Sequence, residues 1–182
     1  MTTESETLEI VPTDAPPVVT TPVPIVPCGD AMLSREVPDT GISVSECKID
    51  DWMERLLDDP EVFCGASGGA YSRTEFNLGM VQADTRIFGV FRDGNPGGFF
   101  TVLPMQSGCV EIHTTMGKSV RGRYAICAMR AVLQLLKDSG VRTVMSFCYR
   151  NAPHTIWFAK QCGFRVIGSH ADSNTVPVAI CL

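Results

Sequence analysis

The 182-residue chain is long enough to close one ordinary hydrophobic core and too short for two domains with a linker. Its composition, 45% hydrophobic and 19% charged, is that of a globular protein, and no apolar run reaches the roughly 18 residues that would mark a membrane span. The net charge of −5 belongs to the first 30 residues, which carry Glu4, Glu6, Glu9, Asp14 and Asp30 and no Lys or Arg.

Those 30 residues also hold six of the 12 prolines, six threonines and no aromatic side chain. Such a segment has too little apolar surface to fold alone. The expectation is an extended, polyproline-like arm over 1–42, followed by one domain over 43–182. The valines and isoleucines of the arm, among them Ile10, Val18, Val23 and Ile25, gain free energy only when a partner covers them. Within the domain, residues 31–108 carry six bases against 12 acids and residues 109–182 nine bases against three acids, so the C-terminal half is locally basic. That balance suits a small anionic ligand and not a long nucleic-acid track. Eight cysteines lie at least 14 residues apart without a Cys-x-x-Cys pair, which argues against a metal site. The N-terminus lacks a basic and then apolar leader, so the expectation is cytoplasmic synthesis with free thiols and no secretion.

Ile49, Trp52, Met53, Leu56 and Leu57 recur at helical spacing beside Asp50 and Asp51, predicting a helix that Pro60 stops. The glycine-rich stretch 65–69 reads as a connection, since no Lys-Ser/Thr closes it as a phosphate loop would require. A short helix is expected near 73–80. Residues 86–92, a turn at Asp93-Gly94-Asn95-Pro96-Gly97 and residues 98–103 predict a β-hairpin, with a third strand at 109–114. The longest helix is expected at 121–137, its stripe of Ala125, Met129, Val132, Leu133 and Leu136 facing a core and its end marked by Gly140. A strand follows at 141–149, then a helix at 152–161 with Asn151 as N-cap and Pro153 in its first turn, and closing strands at 164–168 and 175–182. This order predicts an α/β fold with a mixed, mostly antiparallel sheet flanked by helices.

Two motifs sharpen that reading. Arg121-Gly122-Arg123-Tyr124-Ala125 opens the long helix directly after a strand, and Asn151 precedes Phe158-Ala159-Lys160-Gln161-Cys162-Gly163-Phe164 at the penultimate helix. In this order they resemble the GNAT superfamily of N-acetyltransferases over residues 43–182. The resemblance implies a GNAT-like fold and acetyl-CoA as cofactor, its pyrophosphate held at Arg121, Gly122, Arg123, Tyr124 and Ala125 with Asn151 nearby. A general base is implied on the preceding strand, where Glu111 and His113 alternate and so share a face. Tyr124 and Ile126 occupy positions where the family pattern has small residues, so their side chains are expected to obstruct the phosphates. Ala159 stands where many members keep a tyrosine acid, leaving Tyr124 and Tyr149 as substitutes that fit buried aromatic packing better than acid catalysis. Cys162 fits a small core residue better than a nucleophile.

The variant pattern is similar to that of GNAT-like proteins of tailed bacteriophages, some of which are virion components. Two functions follow from the resemblances. One is a virion-associated protein with a degraded acetyltransferase site, its arm bound to phage structural proteins at the capsid, portal or head-tail region, with no membrane and no direct nucleic-acid contact. The other is an active acyl-CoA-dependent N-acetyltransferase that transfers directly to an amine.

Overall fold

The computed structural model describes residues 33–67, 72–74, 78, 84–168 and 173–182. Its frame is an eight-stranded sheet in the order β1-β2-β3-β4-β5-β6-β8-β7. The strands are β1 (Ser34–Val37), β2 (Ile42–Cys47), β3 (Arg86–Arg92), β4 (Asn95–Pro104), β5 (Cys109–Met116), β6 (Thr143–Tyr149), β7 (Arg165–Val166) and β8 (Thr175–Cys181). All neighbours pair antiparallel except β5 and β6. The helices are α1 (Asp51–Leu57), α2 (Pro60–Ser67), α3 (Arg123–Asp138) and α4 (Pro153–Gln161).

Strand alternation divides the sheet into two faces. Phe88, Val90, Phe100, Val102, Val110, Ile112, Val144, Cys148 and Val178 pack with α3 and the end of α4 in the main core. Ile87 and Phe99 point the other way, into a smaller core with Met53 and Leu57 of α1 and Phe63 of α2. Every member of the α3 stripe read from the sequence is buried. The helix ends as its Gly140 forecasts: that residue has φ +88°, its N–H bonds Lys137 O, and the Val141 N–H reaches back to Leu136 O at 3.0 Å.

Several boundaries differ from the sequence reading, each for a local reason. Ser34–Val37, expected in the arm, is the edge strand of the sheet. It pairs with β2 across Pro38-Asp39-Thr40-Gly41, where Asp39 and Gly41 take positive φ and the Thr40 hydroxyl donates to Val37 O. Residues 1–32 of the expected arm lie outside the described residues. Pro60 does end α1 but also opens α2, since a first-turn proline loses no helical hydrogen bond, and Asp59 Oδ1 accepts the Glu61 N–H there at 2.9 Å. Residues 65–67 are therefore helical, and residues 68–69 of the expected connection lie outside the described residues. So does most of the helix expected at 73–80. The hairpin turn is two residues, Asp93 (φ 51°) and Gly94 (φ 77°), and Asn95-Pro96-Gly97 join β4 through a register shift beside Val90. Asn151 is not the cap of α4. Proline disfavours helical geometry in the residue before it, so Ala152 (φ −122°, ψ 69°) flanks Pro153 and the helix starts there.

Candidate active site

The site forms where the sheet opens. β5 and β6 pair in parallel only over Cys109↔Thr143, Val110↔Val144 and Glu111↔Met145. Beyond that, β5 runs on to Met116 bonded to β4, and β6 runs on to Tyr149 bonded to β8. The two strands diverge, and the facing edge of each carries backbone amides and carbonyls free of ladder partners. The opening is part of a groove of about 910 Å³, within the size range of small-molecule sites. Its walls come from β5, β6, α2, the first turn of α3, and α4.

One end of the groove is the N-terminus of α3. Gly122, with φ 66° and ψ −129°, turns the chain into the helix, and no side chain caps it. The first intrahelical bond there is Ile126 N–H to Gly122 O at 3.3 Å, so the amides of residues 123–125 have no acceptor within the helix. Together with the helix dipole they make an anion-binding end. A Cβ at Gly122 would meet nothing within 4 Å, so glycine is required here by backbone conformation and not by crowding.

The six residues expected to hold a cofactor divide into two groups. Arg121, Gly122, Ala125 and Asn151 line the groove. Arg123 and Tyr124 do not: the Tyr124 hydroxyl accepts from Arg92 Nη2 at 3.0 Å and Arg123 Nη2 at 2.9 Å, with the Arg92 guanidinium 4.0 Å above its ring. These contacts draw Tyr124 toward the β3–β4 hairpin, and the Arg123 hydrogen bond holds its phenol below the ordinary value of 10. Ile126 packs against the main core. The expected obstruction of the helix end by Tyr124 and Ile126 is thus absent, because both side chains leave the groove side of α3. Arg121 is braced from two directions, donating Nε to Met116 O at 3.1 Å and lying 3.6 Å from Glu61 of α2.

Glu111 and His113 are brought together. Paired with Leu103 and Thr101 of β4, they share the α1/α2 face with Phe99, and His113 Nε2 lies 2.9 Å from Glu111 Oε1. His113 lines the groove and is half exposed, whereas Glu111 is 21% exposed behind it. On β6, Tyr149 also lines the groove and donates its hydroxyl to Ser67 O at 3.0 Å. Ala159 is buried against the core, and so is Cys162, whose thiol burial pushes up to about 12. Among the described residues, no three His, Cys, Asp or Glu side chains converge as a metal site, and no helix is long and apolar enough to cross a membrane.

Some groove residues were not among those expected from the sequence. Phe147 on β6 and Trp157 on α4 are both exposed large hydrophobics, and Cys64 reaches the groove from α2. Only the tertiary arrangement gathers them. Phe147, an apolar residue on an outward strand position, is the one that strand alternation had the means to flag.

A family described as "protein of unknown function (DUF2824)" matches residues 49–182. The chain belongs to the DUF2824 family. No curated protein sequence matches it. Solved structures reveal the fold of this DUF2824 member. A probable GNAT-family acetyltransferase from Chromobacterium violaceum superposes with a TM-score of 0.61 at 19% identity, covering 81% of this chain and 94% of that one. Spermidine N-acetyltransferase from Vibrio cholerae, solved with CoA and spermine, gives a TM-score of 0.63 at 12% identity, with coverage of 78% and 95%. The GNAT domain of S. lividans PAT gives 0.62 at 15% identity, with coverage of 78% and 90%. The DUF2824 chain therefore has the GNAT fold. At these identities the likeness concerns architecture, and function must be argued from the site.

Proposed function

We propose that the protein is an acyl-CoA-dependent N-acyltransferase that transfers directly from thioester to amine. The observation that carries this reading is the opening between β5 and β6, with an uncapped helix end on its α3/α4 side and the Glu111–His113 pair on its α1/α2 side. The pyrophosphate of acetyl-CoA would accept hydrogen bonds from the amides of residues 123–125, with Arg121 alongside and Asn151 on the facing wall. The pantetheine arm would add to the unpaired edge of β5 like a short strand, bringing the thioester to the point where strand pairing stops.

The amine would enter from the opposite face. His113 takes a proton from the amine nitrogen as that nitrogen attacks the thioester carbon, and Glu111 holds the imidazole and stabilises its charged form. A β5 edge amide would hold the developing oxyanion, and bound acetyl-CoA would supply the thioester whose carbon–sulfur bond gives way to the new carbon–nitrogen bond, with the thiolate as leaving group. Ala159 has no proton to give. The thiolate is protonated by solvent or by the groove-lining phenol of Tyr149. No cysteine nucleophile is required.

The test is thiol release from acetyl-CoA with a panel of primary amines. His113→Ala should lower the rate by about 10²–10⁴-fold, the usual range for a lost general base, while leaving acetyl-CoA affinity in place. Acetyl-CoA binding with no amine-dependent release across the panel would overturn the assignment.

A second reading rests on the proline- and valine-rich residues 1–30. In it the domain is carried on a tailed-phage particle, the segment adding main-chain hydrogen bonds along a structural partner. Its support is the segment's composition and the sequence resemblance to phage GNAT-like proteins. Deleting residues 1–30 should abolish incorporation into particles while leaving the domain folded, and unaffected incorporation would sink the idea.

A further inference from the structure

We infer that the acceptor of this transferase is a primary amine joined by a short linker to an aromatic ring. The inference rests on the acyltransferase reading and names the substrate class for the same site. It comes from the strand register on the α1/α2 face. Phe147 of β6 pairs with Pro177 of β8, and the Ile167 N–H, one residue past β7, bonds Pro177 O at 3.1 Å. Carried two residues past the last β5–β6 pair, the parallel register sets Phe147 opposite His113 across the opening. An apolar line, Ile167–Pro177–Phe147, thus leads across the sheet to the residue that would deprotonate the amine.

The line is open to a ligand. Phe147 is 40% exposed and Ile167 is 55% exposed, values that leave large apolar surfaces with water as their neighbour. Its length fits one ring. The strands lie about 5 Å apart where they last pair and diverge beyond, so an amine at His113 reaches a ring over Phe147 only through a linker of at least two or three carbons, with Pro177 and Ile167 flanking the ring's far edge.

The charges on this face disfavour a polycation. Glu111 is engaged with His113, and Glu61, at the other side of the groove, lies within 3.6 Å of both Lys118 and Arg121. Arg165 of β7, paired opposite Ala179, adds positive charge at the outer end of the line. A polyamine would find no uncommitted carboxylate here among the described residues.

The experiment compares 2-phenylethylamine with spermidine at saturating acetyl-CoA, using the full chain and Phe147→Ala, with acetyl-CoA affinity measured separately by calorimetry. Expected is a kcat/KM for 2-phenylethylamine at least about tenfold above that for spermidine. Phe147→Ala should raise the KM for 2-phenylethylamine by about tenfold, Phe147→Tyr should restore it, and acetyl-CoA affinity should hold in both variants. If acetyl-CoA binds and spermidine is the equal or better acceptor, or if Phe147→Ala leaves the KM unchanged, the inference is wrong while the transferase reading stands. Failure of acetyl-CoA to bind at all would overturn both.

Discussion

Replacing Gly122 by alanine separates the conformational role of this residue from its place at the ligand. Gly122 sits at φ 66° and ψ −129°, a region that alanine occupies only under strain. No atom lies within 4 Å of the added Cβ, so the cost is torsional, on the order of 1–3 kcal/mol. For a domain of this size each kcal/mol shifts the melting temperature by about 2–4 °C, giving a fall of roughly 2–12 °C. A chain that escapes the strain by unwinding the first turn of α3 disperses the amides of residues 123–125. Loss of one hydrogen bond to a charged phosphate, about 1.5–3 kcal/mol, corresponds to a Kd for acetyl-CoA weakened about 10- to 150-fold. Gly140→Ala is the matched control. It lies at the other end of the same helix with φ +88° and an equally open Cβ position. It should lower the melting temperature comparably and leave acetyl-CoA affinity intact. Differential scanning fluorimetry and calorimetric titration read the two effects. Equal affinity changes in both variants, or none in Gly122→Ala, would refute the reasoning about the helix end.

Glu111→Gln should lower kcat less than His113→Ala does and leave the KM for acetyl-CoA unchanged in steady-state assays, because Glu111 acts through the imidazole. Alkylation followed by peptide mapping at about pH 8 should label exposed Cys64 and Cys181 well before buried Cys148 and Cys162. Phenolate absorbance should show a step below 10 that is lost in Tyr124→Phe, whereas a titration unchanged by that substitution would contradict the Arg123 contact. The sign for stability follows from the lowered value. The folded state favours the phenolate, so the Tyr124 contribution is fully present above the unfolded value of 10 and is lost as pH falls through the folded one.

The parts of the fold legible in the sequence are those whose cause is local. Ala125, Met129, Val132, Leu133 and Leu136 mark α3 because helical period and burial coincide, and Asp93-Gly94 marks the hairpin because few other pairs accept two positive φ angles. The β1–β2 hairpin has similar signs, with Ile42 and Val44 both buried and a Pro-Asp-Thr-Gly turn before them. Its proximity to a proline-rich stretch hid them. Glu111 and His113 were legible as a pair sharing one face, since strand alternation alone supplies that geometry. The position of Tyr124 was not, because it depends on Arg92, 32 residues earlier, arriving over its ring. Nor was the opening of the sheet, which is a difference in direction between two strands and leaves no mark on either.

Amide hydrogen exchange with and without acetyl-CoA tests the placement of the thioester arm most directly. The expected result is new protection on residues 112–116 of β5 and 123–125 of α3, with β1 and β2 unchanged. Protection confined to other segments, or none at millimolar acetyl-CoA, would contradict the account.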